Sequence, residues 1–177
     1  MSSSFCGQAN IFYSWGRLEE ALKLYKQDEA LCRELGDKAG LSNSFCGQAS
    51  TFYSWGRLEE AMKLYKQEEA LCREQGDRSG LSRSFCGQAN IFYYWDRLEE
   101  ALKLYKQEEA LCRELGDKAQ LARSLINQSL LLANKMNRHK EGLTLAEEAY
   151  HIAIEHNFNA LIREIQPILD SIRAKAW

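Results

Sequence analysis

The segment Phe-Cys-Gly-Gln-Ala occurs three times in this chain at constant spacing. It begins at Phe5, Phe45 and Phe85, so the chain repeats itself every 40 residues. A unit this short cannot enclose a hydrophobic core alone and must bury its apolar face against the next copy. The repetition therefore predicts a single array of stacked units over residues 1–177.

Each repeat is predicted to form two helices. In the second copy, apolar residues recur at helical spacing over about 38–54 and again over about 57–75. Gly76 then supplies a left-handed residue that ends the second helix, and Asp77 can cap the next one. The sequence therefore predicts an all-α solenoid of antiparallel helix pairs, with repeats at about 1–37, 38–77, 78–117 and 118–157.

The fourth repeat differs most from the others, although Gln128 keeps the register of the repeated glutamine. Beyond it, residues of about 158–177 carry Leu161, Ile165 and Leu169 on one side of a helix. One amphipathic helix after the last repeat covers the open end of a solenoid, so we expect a capping helix here. Pro167 lies inside this helix and should kink it.

The bulk composition excludes several classes of protein. The net charge is −2, and no basic stripe predicts binding to nucleic acid. No apolar run is long enough to cross a membrane, and the first residues do not resemble a signal peptide, so we expect a cytoplasmic protein. The six cysteines form no CxxC motif and are expected to be reduced.

No residues with catalytic or metal-binding spacing occur in the chain. The three histidines, His139, His151 and His156, all fall in the fourth repeat. His151 and His156 are five residues apart and do not share a helix face. A phosphate-binding loop, a nucleophile elbow and an HExxH motif are all absent from the sequence. We therefore expect no enzyme, no cofactor and no metal.

The repeat resembles the tetratricopeptide repeat (TPR). The first copy reads Phe5-x-x-Gln8-Ala9-x-x-Phe12 and then Ala21-x-x-x-Tyr25, in the order of aromatic and small residues typical of that family. The period exceeds the family's usual length of about 34 residues and is similar to that of kinesin light chains and spindle-orientation adaptors. The resemblance implies a right-handed α-solenoid that acts as a protein-protein interaction scaffold.

One departure from the family concerns a repeated glutamine. Gln8, Gln48, Gln88 and Gln128 stand where the family has an aliphatic residue. A buried amide without a hydrogen bond costs about 1–3 kcal/mol. Two arrangements remain open: a ladder in which the glutamines bond to the backbone or to each other along the array, and local bonding of each glutamine within its own repeat.

The resemblance also implies a concave groove lined by the first helix of each repeat. Asparagine can pair with peptide backbone, tyrosine offers rigid contact area, and arginine can hold a carboxylate. We therefore expect a peptide or helical segment of a partner protein, with some acidic character. Differences between copies at these positions fit either tuning for a partner or drift. The predicted groove residues are Asn10, Tyr13, Ser14, Asn43, Ser50, Tyr53, Arg83, Asn90, Tyr93, Tyr94 and Arg123.

Self-assembly is the alternative function. No complete repeat precedes Phe5, so Ile11 and Trp15 are expected on an uncovered flank of the first repeat. Exposed apolar patches of this kind are interaction sites. Pairing of two such flanks would give a two-fold homodimer through the N-terminal ends.

Overall fold

The computed structural model describes residues 2–175, with side chains from Phe5 onward. Within this range the chain forms nine α-helices and no strand, which confirms the all-α prediction. None of these helices is long and apolar enough to cross a membrane. The helices are α1 (Ser2–Ser14), α2 (Leu18–Leu35), α3 (Lys38–Ser54), α4 (Leu58–Gln75), α5 (Arg78–Tyr94), α6 (Leu98–Leu115), α7 (Lys118–Leu130), α8 (His139–Glu155) and α9 (Asn159–Lys175).

The chain divides into two compact units, Met1–Ile91 and Phe92–Trp177, with the boundary inside α5. In the first unit α1 packs on α2, α2 on α3 and α3 on α4. In the second unit α6 packs on α7, α7 on α8 and α8 on α9. Each unit is thus a stack of helix pairs, while one continuous array over all repeats stays a prediction.

Glycine and aspartate separate successive repeats as predicted. Gly36 has a φ of 67° and ends α2, because its amide bonds back to the carbonyl of Arg33. Asp37 follows it, and its side chain accepts a hydrogen bond of 2.9 Å from the amide of Gly40 in the first turn of α3. This cap satisfies an amide that lacks a partner inside the helix.

An aromatic corner joins the two helices of each of the first three repeats. Phe52 meets Trp55 edge to face, with ring centroids 5.9 Å apart. The guanidinium of Arg57 covers the same phenyl ring at 4.7 Å and also pairs with Glu60. Equivalent corners form around Phe12 and Phe92. The tryptophans therefore serve packing at the turn between helices.

The second unit ends in the expected capping helix. One side of α9 buries Leu161, Ile165, Leu169 and Ile172 against α8, and these residues join the core of the fourth repeat. The helix continues through Pro167, which lacks an N–H to donate.

A one-residue insertion distinguishes the fourth repeat. Arg57 and Arg97, which start equivalent helices, are 40 residues apart, whereas Arg97 and Arg138 are 41 apart. The extra residue is absorbed in a π-helical turn, Leu131–Lys135, that extends α7. Such turns accommodate single insertions without breaking a helix.

Candidate functional site

A tyrosine from each second helix organises the groove side of the first unit. The ring of Tyr25 on α2 lies against Gly47 of α3, where an added Cβ would come within 2.2 Å of the ring. Tyr65 lies against Gly87 in the same way, at 2.3 Å. Gly7 has open space around it. The glycine of the repeated segment therefore admits the tyrosine of the preceding repeat.

The hydroxyls of these tyrosines reach the groove. Tyr25 Oη donates to Oδ1 of Asn10 over 2.5 Å, and Tyr65 Oη lies 3.1 Å from the hydroxyl of Ser50. Burial raises the pKa of both tyrosines, so they stay protonated. Sequence reasoning did not predict that these hydroxyls reach the groove. The sequence does carry a signal for the tyrosine contacts, because Gly47 and Gly87 stand in the middle of predicted helices, where a glycine makes room for a neighbouring side chain.

Five of the predicted groove residues surround one cavity in the first unit. We call it the groove cavity, and its volume is about 400 Å³. It lies between α1, α3 and the first turns of α5. The side chains that line it are polar apart from the tyrosine rings and the thiols. They are Cys6, Asn10, Tyr13, Tyr25, Asn43, Cys46, Gly47, Ser50 and Arg83.

Two asparagines give this cavity its hydrogen-bonding capacity. Oδ1 of Asn10 accepts from Tyr25, and Oδ1 of Asn43 accepts from Nη2 of Arg83 over 3.0 Å. These bonds orient both carboxamides. Each Nδ2 group carries two N–H donors, which suit carbonyl groups of a bound chain.

Three other predicted residues of the first unit lie outside this cavity. The hydroxyl of Ser14 donates to the carbonyl of Ile11 over 2.8 Å. Tyr53 and Asn90 are half-buried, and neither lines the groove cavity. Their proposed role in binding a partner is not supported by this cavity.

The remaining predicted residues belong to the second unit. Tyr94 is exposed and meets Tyr93 edge to face, and the ammonium of Lys135 lies 5.4 Å from the ring of Tyr93. Arg123 pairs with Glu164 at 3.6 Å. Whether they continue the groove of the first unit stays a prediction.

Arg83 is paired within the chain. Its Nη2 lies 3.4 Å from Oε1 of Glu68, a carboxyl with no exposed surface. Burial raises the pKa of Glu68 to about 7, against the opposing effect of the nearby Arg83 guanidinium. The arginine whose charge favoured an acidic partner therefore already has an acidic neighbour.

Sequence reasoning missed a buried acid at the same position of three repeats, Asp28, Glu68 and Glu108. Oε1 of Glu108 accepts from the side-chain amide of Gln120 over 2.7 Å. One oxygen of Asp28 accepts from Ser44, and its other oxygen, Oδ1, has no hydrogen-bond partner among the described residues. Buried carboxylates are uncommon and expensive, so this position is a chemical feature of the repeat.

The buried acids have a signal in the sequence. Asp28 stands three residues after Tyr25 and four before Cys32, both of which are buried. These spacings place all three side chains on one helix face. An acid on the apolar stripe of a helix marks a buried charge.

A second cavity opens beside Asp28. We call it the first-junction pocket, because it lies where the first repeat meets the second, and its volume is about 400 Å³. It shares Cys6, Asn10 and Asn43 with the groove cavity. The pocket is lined by Cys6, Gly7, Asn10, Asp28, Asp37, Ala39, Gly40 and Asn43.

Three of the four repeated glutamines donate a hydrogen bond to a glutamate on the preceding helix. Nε2 of Gln48 donates to Glu29 of the preceding repeat over 2.5 Å. The amide of Gln88 donates over 3.1 Å to Ser84 in its own repeat as well. A ladder of glutamines is therefore wrong, because a glutamate on the preceding helix is the shared partner. The other two contacts of this kind are Gln88 to Glu69 at 2.7 Å and Gln128 to Glu109 at 2.8 Å.

All six cysteines are free thiols in the structure. Burial raises the pKa of Cys46 to about 12 and that of Cys32 to about 11. A cysteine nucleophile needs a lowered pKa, so neither thiol is activated. Among residues 2–175, no group of three or more histidine, cysteine or acidic side chains could hold a metal ion.

Neither a family model nor a curated protein matches the sequence. Solved structures match its fold. A signal transduction ATPase with a tetratricopeptide repeat sensor from Pyrococcus horikoshii is 19% identical, with a TM-score of 0.87 over 99% of this chain and 26% of that one. The nearly identical TPR-like repeats of a kinesin light chain from Podospora anserina are 18% identical, with a TM-score of 0.70 over 98% of this chain and 94% of that one. Aspartyl phosphate phosphatase F from Bacillus subtilis is 14% identical, with a TM-score of 0.69 over 97% of this chain and 49% of that one.

These similarities establish the fold. The chain is an all-α solenoid of TPR-type repeats. It spans about a quarter of the length of the Pyrococcus protein.

Proposed function

We propose that this chain is a protein-interaction scaffold that binds a peptide segment of a partner in the groove cavity. The observation that carries the proposal is a polar cavity of about 400 Å³ lined by two carboxamides, each oriented by a hydrogen bond that its oxygen accepts. Extended peptides present alternating carbonyl and amide groups, which such carboxamides match. The function is binding without catalysis, and its partner is a protein and not a nucleic acid.

The similar solved structures support a role in recognition. One of them is described as an ATPase with a tetratricopeptide repeat sensor, and the matching region is about a quarter of that chain. A repeat array that senses acts by contact with another molecule. For the present chain, the rigid stack of helices would hold the groove ready, which reduces the entropy lost on binding.

The proposal is tested by selecting peptides from a displayed random library on the immobilised chain and measuring their affinity by calorimetry. Asn10→Ala with Asn43→Ala removes two donors and should weaken selected peptides about tenfold or more. Gln27→Ala with Gln107→Ala removes two exposed amides from second helices and should leave affinity unchanged. Equal affinity for both double variants would contradict the groove assignment.

Self-association is a second candidate, favoured by one comparison of equivalent residues. Ile11 is 50% exposed, whereas Thr51 and Ile91 at the same repeat position are fully buried. Trp15 beside it is 66% exposed. A second copy of this chain could cover both side chains.

Light scattering over a wide range of protein concentration tests this candidate. A homodimer should raise the mass with concentration, and Ile11→Lys should hold the chain at the monomer mass. A monomer mass at all concentrations in the unsubstituted chain would reject self-association.

A further inference from the structure

Each junction between repeats in this protein buries one carboxylate, and two of the three carboxylates have a nitrogen donor from the next helix, whereas Asp28 has only the hydroxyl of Ser44. At the second junction, Nη2 of Arg83 lies 3.4 Å from Oε1 of Glu68. At the third junction, Nε2 of Gln120 lies 2.7 Å from Oε1 of Glu108. The next helix thus supplies a nitrogen donor to the buried acid in both cases.

The first junction carries the acid but lacks the nitrogen donor. Gly40 stands at the position of Gln120, and Asn43 stands at the position of Arg83. Asp28 is also one methylene shorter than Glu68. These three shorter residues leave the first-junction pocket open, with a volume of about 400 Å³ beside the carboxylate.

The carboxylate in this pocket has unused capacity. Asp28 is 1% exposed, and its Oδ1 has no hydrogen-bond partner among the described residues. Glu68 and Glu108 also have one such oxygen each, Oε2, but Asp28 is the acid that lines this open pocket. An unpaired buried acceptor costs about 1–3 kcal/mol, which a donor from outside would recover. Asp37 adds a second carboxylate to the lining, so the pocket favours a cation.

The size of the pocket and the second junction together indicate which cation fits. A guanidinium already occupies the corresponding place beside Glu68, where it also contacts the carboxamide oxygen of Asn43. A guanidinium has five donors in a plane and loses less hydration on burial than an ammonium. The lining carboxylates and carboxamide oxygens can accept several of these donors.

We propose that the first-junction pocket binds an arginine side chain of the partner peptide, paired with Asp28 as Arg83 is paired with Glu68. This inference rests on the proposed function, because the pocket shares the lining residues Cys6, Asn10 and Asn43 with the groove cavity. The partner then carries an arginine at one end of the bound segment. This differs from the acidic character expected from Arg83 and Arg123 in the sequence.

Nuclear magnetic resonance titration of the full chain with acetyl-arginine methylamide tests the proposal. The amide signals of Gly7, Gly40 and Asn43 should shift in a saturable manner. Acetyl-citrulline methylamide has nearly the same shape without the charge, and it should shift them negligibly. Equal responses to the two probes would overturn the proposal.

Three variants locate the binding site. Asp28→Asn removes the charge with little change of shape and should weaken the arginine probe about tenfold or more. Asn43→Arg should fill the pocket from within and abolish binding, whereas Asn43→Ala, which removes one acceptor but leaves the pocket open, should weaken binding without abolishing it. Glu59→Gln, an equal change of charge on the exposed first turn of α4, should have no effect. Retention of full affinity by the Asn43→Arg chain, if folded by circular dichroism, would overturn the proposal.

The peptide selection separates this inference from the proposed function. Selected groove binders should be enriched in arginine, and replacing that arginine by citrulline should weaken them about tenfold or more. If groove peptides bind without needing arginine, the proposed function stands and this inference fails. If no peptide binds the groove at all, the proposed function fails first.

Discussion

The first and second junctions between repeats have almost the same sequence but different polar centres. Both place a tyrosine ring on a glycine of the next repeat, Tyr25 on Gly47 and Tyr65 on Gly87. Beside this shared contact, the second junction has Glu68 with a guanidinium from its own chain, and the first has Asp28 next to an open pocket. The comparison teaches that packing fixes the repeat, while a few polar substitutions decide what each junction can bind.

The largest expected effect comes from breaking the shared contact. Gly47→Ala would place a Cβ 2.2 Å from a Tyr25 ring atom, inside a packed junction. We expect the free energy of unfolding to fall by about 3 kcal/mol, because overpacking forces the ring or the helix to move. Urea denaturation followed by circular dichroism measures this change.

Gly7→Ala is the matched control for this prediction. Gly7 has the same position in its repeat, but nothing lies within 4 Å of an added Cβ. Alanine in a helix should therefore raise the free energy of unfolding by up to about 1 kcal/mol. If both variants change stability alike, the tyrosine does not set the spacing of the junction.

The next effect concerns the buried acid of the second junction. The pKa of Glu68 is about 7 in the folded chain, against an ordinary value of 4.5, so folding favours the protonated form. Its stabilising contribution is complete below about pH 4.5 and is lost as the pH rises through about 7. Glu68→Gln should thus raise the free energy of unfolding by about 2 kcal/mol near pH 8, with little gain near pH 4.5.

Denaturation at a series of pH values measures this effect. The charged and titratable neighbours of Glu68, namely Arg83, Cys46 and Asp77, are unchanged in the variant. Glu59→Gln serves as control, because Glu59 is an exposed acid on the same helix. A Glu68→Gln chain with the same pH profile as the unsubstituted chain would show that this carboxyl is ionised normally.

The smallest expected effect follows from making the second junction resemble the first. Arg83→Asn removes the guanidinium that opposes the rise in the pKa of Glu68. We expect stability near pH 8 to fall by about 1 kcal/mol, since Arg83 is partly exposed and the separation is long. Unchanged stability, measured by the same denaturation series, would mean that the pair contributes nothing and the two junctions are equivalent.

The sequence predicts the architecture well because the architecture is local and repeated. Gly36 and Asp37 define a helix end and a cap within a few residues, and the structure shows both. The amphipathic pattern around Ile165 likewise identifies the capping helix before any packing is known. Signals of this kind depend on neighbours in the chain, which the sequence shows directly.

The site was only partly predictable, since its features depend on contacts between repeats. The helix periodicity puts Asn10 and Arg83 on the groove face, but it does not show that Glu68 lies beneath the arginine. The partner of Gln48 is similarly a glutamate 19 residues away on another helix. The π-helical turn is a different case, because the spacing of 41 residues to Arg138 reveals an insertion but not the helix that absorbs it.

A crystal structure of the Asn43→Arg variant tests the central claim most directly. The claim is that the first junction lacks the guanidinium that the second junction supplies for itself through Arg83. The account predicts that the new guanidinium enters the first-junction pocket and lies within hydrogen-bond distance of Oδ1 of Asp28. A new arginine that extends into solvent and leaves Oδ1 without a partner would contradict it.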